Sequence, residues 1–97
     1  MINYTDKYIR DLFESLGYNE EIFPYNPIGL VMFLKQKKID VFIYPKDNAH
    51  DKYMWVGVDI NEGDNVFSQD LTEYEKFDDA VNSAIIESIS YLSLKKK

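Results

Sequence analysis

The stretch that decides the fold is residues 38–60, KIDVFIYPKDNAHDKYMWVGVDI. It holds two runs of period-two alternation around a polar segment. In the first run Ile39, Val41 and Ile43 point one way and Asp40, Phe42 and Tyr44 the other, the pattern of a half-buried strand. Pro45 ends that strand because it has no N–H to give a ladder. Residues 45–52 read as a polar loop. In the second run, residues 53–60, the aliphatic set Met54, Val56, Val58 and Ile60 reads as the core face. Tyr53, Trp55, Gly57 and Asp59 then fall on the other face. Residues 61–64, NEGD, carry turn chemistry, and a short third strand follows from Asn65 to about Gln69. Strands joined by short polar connections imply an antiparallel meander.

The flanks of this sheet read as helices. Over residues 5–16, Tyr8, Ile9, Leu12, Phe13 and Leu16 recur at helical spacing; Thr5 or Asn3 can cap the start and Gly17 is the stop. Residues 18–25 read as a loop. Residues 26–34, NPIGLVMFL, fit either a buried strand or a short helix. Asn26 as N-cap, Pro27 at the first helical position and Lys35, Lys37 and Lys38 at the far end favour the helix. Such a helix is apolar nearly all round, so it must be deeply buried or cover a partner. A last helix ends near Leu92. Thr72 and Glu75 fit a capping box that starts it at Glu73, and Phe77 is the later alternative. Its buried stripe is Phe77, Ala80, Val81, Ala84, Ile85, Ser88, Tyr91 and Leu92, with Ile86 pointing away.

The expected fold class is α+β: a single domain over residues 1–97, ordered α-α-β-β-β-α, with a three-stranded antiparallel meander packed on helices. Within it, residues 1–25 form the N-terminal helix and loop, 26–72 the short helix and sheet, 73–94 the C-terminal helix and 95–97 a basic tail. A chain of this length can bury one real core.

Composition removes several function classes. The chain has no cysteine, so it forms no disulfide, thiolate zinc site or thiol nucleophile. No apolar run nears the roughly 20 residues that cross a bilayer, and the start MINYTDKYIR is not followed by a signal-peptide apolar segment. A cytoplasmic protein without a membrane partner is expected. The net charge of −6 is unevenly placed. Residues 59–79 hold eight acids and one lysine; residues 35–52 hold five lysines and three aspartates. Nucleic-acid binding needs a basic face, and only a weak patch exists near Lys35, Lys37 and Lys38, so no nucleic-acid partner is expected.

Catalytic signals are sparse. The single histidine, His50, lies beside Asp47 and Asp51. No serine sits in a G-x-S-x-G elbow, and the four glycines are isolated, so there is no phosphate loop. Residues 59–70 resemble a calcium loop only until Gly63 falls at its fifth position, Asp64 at its sixth and Asp70 at its twelfth. The reading is therefore not an enzyme, with no cofactor and no metal. The alternative is a small metal- or ligand-binding protein or enzyme using the His50 loop with Asp47 and Asp51.

What remains is a protein-interaction module that meets a basic protein partner through an acidic, aromatic surface. Tyr53, Trp55, Glu62, Asp64 and Asp70 are its candidate contact residues. The competing structural reading is that Phe42, Tyr44, Tyr53 and Trp55 fill a second, smaller core. Homodimerisation through the sheet face or the 26–34 helix is a third reading, compatible with the first.

Two segments, residues 30–41 (LVMFLKQKKIDV) and 74–85 (YEKFDDAVNSAI), together resemble small uncharacterised proteins of Bacteroidetes genomes, phages and mobile elements. The resemblance implies the architecture and a phage or mobile-element origin. The C-terminal half is similar in layout to HicB-type antitoxins, in which an acidic helix start with spaced alanines follows a three-stranded sheet, as Asp78, Asp79, Ala80 and Ala84 do here. That likeness implies an antitoxin- or inhibitor-like role. Double-stranded-RNA-binding domains share the α-β-β-β-α order. They need lysines at the start of the last helix, where this chain has Asp78 and Asp79.

Overall fold

Asn26 decides the ambiguous apolar segment. Its extended backbone and its side-chain oxygen, which accepts the Gly29 N–H at 2.8 Å, form an N-cap, and Pro27 takes the first helical position. In this computed structural model, which describes residues 2–46 and 51–96, the segment is a helix. The order is α1 (Lys7–Ser15), α2 (Pro27–Gln36), β1 (Ile39–Pro45), β2 (Tyr53–Asp59), a 3-10 turn (Ile60–Glu62), β3 (Asn65–Tyr74) and α3 (Phe77–Lys96). The α+β class and the α-α-β-β-β-α order are as expected from the sequence.

The three strands form one antiparallel sheet in the order β1-β2-β3. Helix α2 lies on β1 and α3, α3 lies on all three strands, and α1 lies on α3. The core between these layers is built from Ile9, Phe13, Leu30, Phe33, Leu34, Ile39, Trp55, Ile85 and Ile89, all buried.

Register corrects the reading of β2. Ile39 stands opposite Asp59, Val41 opposite Gly57 and Ile43 opposite Trp55. Residues directly opposed in a ladder share a face. The helix-covered face of β2 is therefore Tyr53, Trp55, Gly57 and Asp59, while Met54, Val56 and Val58 share the other face with Phe42 and Tyr44. Two inward positions disguised this. Gly57 contributes no side chain, and the Phe67 ring fills the space where its Cβ would stand. Asp59 is an acid made tolerable in the core by its hydrogen bonds. Ile60, taken as the fourth core residue, is instead exposed in the 3-10 turn.

The ends of three elements also move. Strand β3 runs on to Tyr74, with register shifts against β2 between Tyr53 and Trp55 and between Gly57 and Val58. It absorbs Thr72 and Glu73, so no helix starts at the expected capping box and α3 begins at Phe77. It continues to Lys96, past Leu92. Helix α1 starts at Lys7 with Asp6 at the N-cap position and no side-chain cap bond. Asn3 uses its oxygen on the Thr5 N–H and hydroxyl instead, both at 3.0 Å. Ile86 is partly buried against the core rather than turned away from it, and Phe77 is half exposed.

The loop 18–25 is part of the core. Phe13 is ringed by Tyr18 at 5.6 Å, Tyr25 at 6.0 Å and Phe33 at 5.8 Å between centroids, each near edge-to-face. The two tyrosines keep their hydroxyls satisfied: Tyr18 donates to the Phe23 carbonyl and Tyr25 to the Tyr4 carbonyl at 2.6 Å. Burial, partly offset by the Arg10 guanidinium, pushes the Tyr25 phenol up to about 12. Buried Asn82 ties the N-terminal segment to α3, accepting the Tyr4 N–H at 2.8 Å and donating to the Ile2 carbonyl at 2.9 Å.

Candidate protein-interaction surface

Helices cover one face of the sheet and leave the other to solvent. On the open face Phe42 and Val66 are each 52% exposed and Tyr44 36%, with Met54, Val56 and Val58 half-buried between them. The register places Phe42 beside Val56, Tyr44 beside Met54 and Val58 between Asp40 and Val66, so the apolar residues of three strands are contiguous. Asp40 stands on this face at the same end as the turn residue Asp64.

The residues singled out from sequence are scattered. Trp55 is fully buried under the helices, so it presents nothing to a partner. Tyr53 is half-buried on the same covered face, with its ring edge-on to Phe77 at 5.4 Å. Asp64 is exposed with a left-handed backbone, φ 62°, next to Gly63 at φ 72°. Asp70 is placed by its backbone, opposite Trp55. Asp47 and His50 lie outside the described residues, and Asp51 is exposed. Among the described residues no cluster of three or more acids or histidines could hold a metal.

The acidic stretch is also less bare than its sequence suggests. Among the described residues, four of these acids meet lysines from elsewhere: Asp59 and Glu62 share Lys95, Glu73 meets Lys46, and Glu75 meets Lys52. The Lys95 group is the most organised. Asp59 is completely buried, and one carboxylate oxygen receives the Tyr91 hydroxyl at 2.7 Å and the Lys95 ammonium at 2.6 Å. Its other oxygen receives the Asn61 N–H at 3.0 Å. Lys95 reaches Glu62 at 2.8 Å, and the Tyr91 ring stacks on Phe67 at 4.2 Å. Glu62, expected to face a partner, thus helps fasten the end of α3 to the sheet.

Burial pushes the Asp59 carboxyl up, but the hydrogen bonds from Lys95 and Tyr91, the Lys95 charge and the Asn61 N–H together hold it below its ordinary value. A carboxyl depressed on folding adds stability above its unfolded pKa, and that stability is lost as pH falls through the folded one. The bond to Asp59 likewise raises the Tyr91 phenol. Lys95→Met removes a hydrogen bond and a charge that lower the Asp59 carboxyl and leaves the burial that raises it. The variant therefore gains less stability than wild type as pH rises through the carboxyl range, and its deficit grows with pH. Urea midpoints should therefore show Lys95→Met well below wild type at neutral pH, with the gap closing toward pH ~4. A gap independent of pH would contradict this.

Beside the open face, β1 is an edge strand. The outward side of α2 carries Ile28 at 73% and Met32 at 52% exposure. Together with Pro27, Val31, Ile43, Phe77 and Val81 they line an apolar groove of about 280 Å³. Helix α2 is deeply buried on one side only: Leu30, Phe33 and Leu34 are buried and Ile28 and Met32 are not. Among the described residues, no helix is long and apolar enough to cross a membrane. No family model matches the chain, and no curated protein or solved structure gives a significant match.

Proposed function

We propose that this chain is a non-enzymatic protein-interaction module whose contact surface is the uncovered sheet face. The observation that carries the reading is the contiguous apolar set Phe42, Tyr44, Met54, Val56, Val58 and Val66 on a face that no helix covers among the described residues. Contiguous exposed apolar surface of this kind marks contact sites, with aromatic residues enriched at their centre. Asp40 and Asp64 at one end supply the acidic rim for a cationic group on the partner, which keeps a basic protein as the expected partner. An antitoxin or inhibitor of phage or mobile-element origin, acting in the cytoplasm, is the specific form of this proposal.

Affinity capture from a lysate of the source organism on the immobilised chain tests it. Wild type should retain a partner at low and at high salt, because apolar contact outlasts screening. Phe42→Lys combined with Val66→Lys should weaken retention about tenfold or more. Tyr8→Lys, at an exposed site on α1, should leave retention unchanged. No retained protein, or retention indifferent to the double substitution, would remove the proposal.

A further inference from the structure

Pro27 at the start of α2 and Phe77 and Val81 at the start of α3 line two hollows at once, so the two hollows form one cleft. One half, about 280 Å³, is apolar throughout, and Ile28, Val31, Met32 and Ile43 complete its walls. The other half, about 530 Å³, is polar, and Asn3, Tyr4, Thr5, Asp78, Asp79 and Asn82 complete it. The cleft lies on the helix side of the sheet, since Ile43 shares the covered face with Trp55.

The apolar half calls for an occupant. Ile28 is 73% exposed, Met32 52% and Phe77 49%, and contiguous apolar surface of this kind marks contact sites. Asp78 and Asp79 need no ligand on their own account, because acids suit the first turn of a helix. They set instead the charge of what the apolar half holds. Asn3 and Thr5 hydrogen-bond to each other, and Asn82 bonds the backbone at Ile2 and Tyr4. The two carboxylates make no ion pair among the described residues, and no basic side chain lines either half there. The complement of this cleft is an apolar group with a cation beside it.

Exposure decides the kind of occupant. Small-molecule sites bury roughly 70–90% of their ligand. Here Ile28, Met32 and Phe77 stand half open or more, so a small ligand would leave one side of itself in water. A protein segment covers them with its own structure behind it. We infer that this cleft docks a segment of a partner protein, with apolar side chains against Ile28, Met32 and Phe77 and an adjacent Lys or Arg at Asp78 and Asp79. The site is separate from the open sheet face, and it stands or falls independently of that surface.

The test is selection of a randomised twelve-residue phage-displayed peptide library on the full chain. Enriched peptides should carry Lys or Arg beside aliphatic or aromatic residues. Their binding should weaken about tenfold in Met32→Lys, which charges the apolar half from an exposed position, and about tenfold in Asp78→Asn combined with Asp79→Asn. High salt should weaken binding to wild type and leave binding to the doubly neutralised variant unchanged. Phe42→Lys combined with Val66→Lys should bind the peptides as wild type does. Native Trp55 emission in each variant shows that the fold is intact. Failure to enrich, peptides without a basic residue, or binding indifferent to Met32→Lys or to the double neutralisation would overturn the inference. So would a concentration-dependent dimer lost in Met32→Lys, since it assigns the cleft to a second copy. Peptides lost only in the Phe42, Val66 variant would support the open sheet face and overturn the cleft alone.

Discussion

Gly29→Ala should destabilise the protein by about 3 kcal/mol, a large share of the roughly 5–15 kcal/mol that holds a domain together. Helix propensity alone gives the opposite sign, since alanine in place of glycine favours an exposed helix by about 1 kcal/mol. Packing reverses it. A Cβ at position 29 would collide with the Pro24 carbonyl oxygen, and its next nearest neighbour is the Pro24 carbonyl carbon at 2.9 Å. Both are backbone atoms, so no rotamer relieves the contact. The loop must move, and that loop also holds Tyr25 in the aromatic cluster and Asn26 at the cap of α2. Urea or thermal denaturation reads the effect directly. A Gly29→Ala protein as stable as wild type would show that α2 does not lie this close to the Pro24 turn.

Trp55→Ala should cost about 3–5 kcal/mol, the range for deleting a large buried aromatic side chain. Trp55 is the largest fully buried side chain and lies under the helix layer, opposite Ile43. Substitution at Phe42, an aromatic of the open face, should change stability by about 0.5 kcal/mol or less while altering partner binding. The two aromatics thus separate cleanly: one acts through the fold and the other through the surface. Comparable losses of stability from Trp55→Ala and Phe42→Ala, measured by urea denaturation, would contradict that division.

Much of this architecture was legible in the sequence, and the exceptions have physical causes. Asn26-Pro27 announced α2 because capping chemistry is local, and β1 announced its faces because its inward positions are all aliphatic. Strand β2 misled because its inward set includes a glycine and an acid. Each is suited to the core only through a distant residue: Phe67 for Gly57, Tyr91 and Lys95 for Asp59. Tyr18, Phe23 and Tyr25 belong to the core without periodicity, since irregular chain has no face to repeat. The candidate surface was half legible. Phe42 and Tyr44 were rightly placed away from the β1 core face, but Tyr53 and Trp55 were set beside them when the register puts them on the opposite side. The acidic stretch looked like one continuous docking surface because sequence does not show that Lys46, Lys52 and Lys95 return to it.

The interaction surface depends on one assignment: odd-numbered β2 residues face the helices and even-numbered ones face solvent. Trp55 is the only tryptophan in the chain, so its fluorescence reports that assignment without any substitution. A fully buried Trp55 predicts blue-shifted emission and little quenching by acrylamide until the protein is unfolded in urea. Red-shifted emission, quenched in the native protein as readily as in urea, would put Trp55 on the open face and Met54, Val56 and Val58 in the core. That result would contradict the surface proposed for this protein.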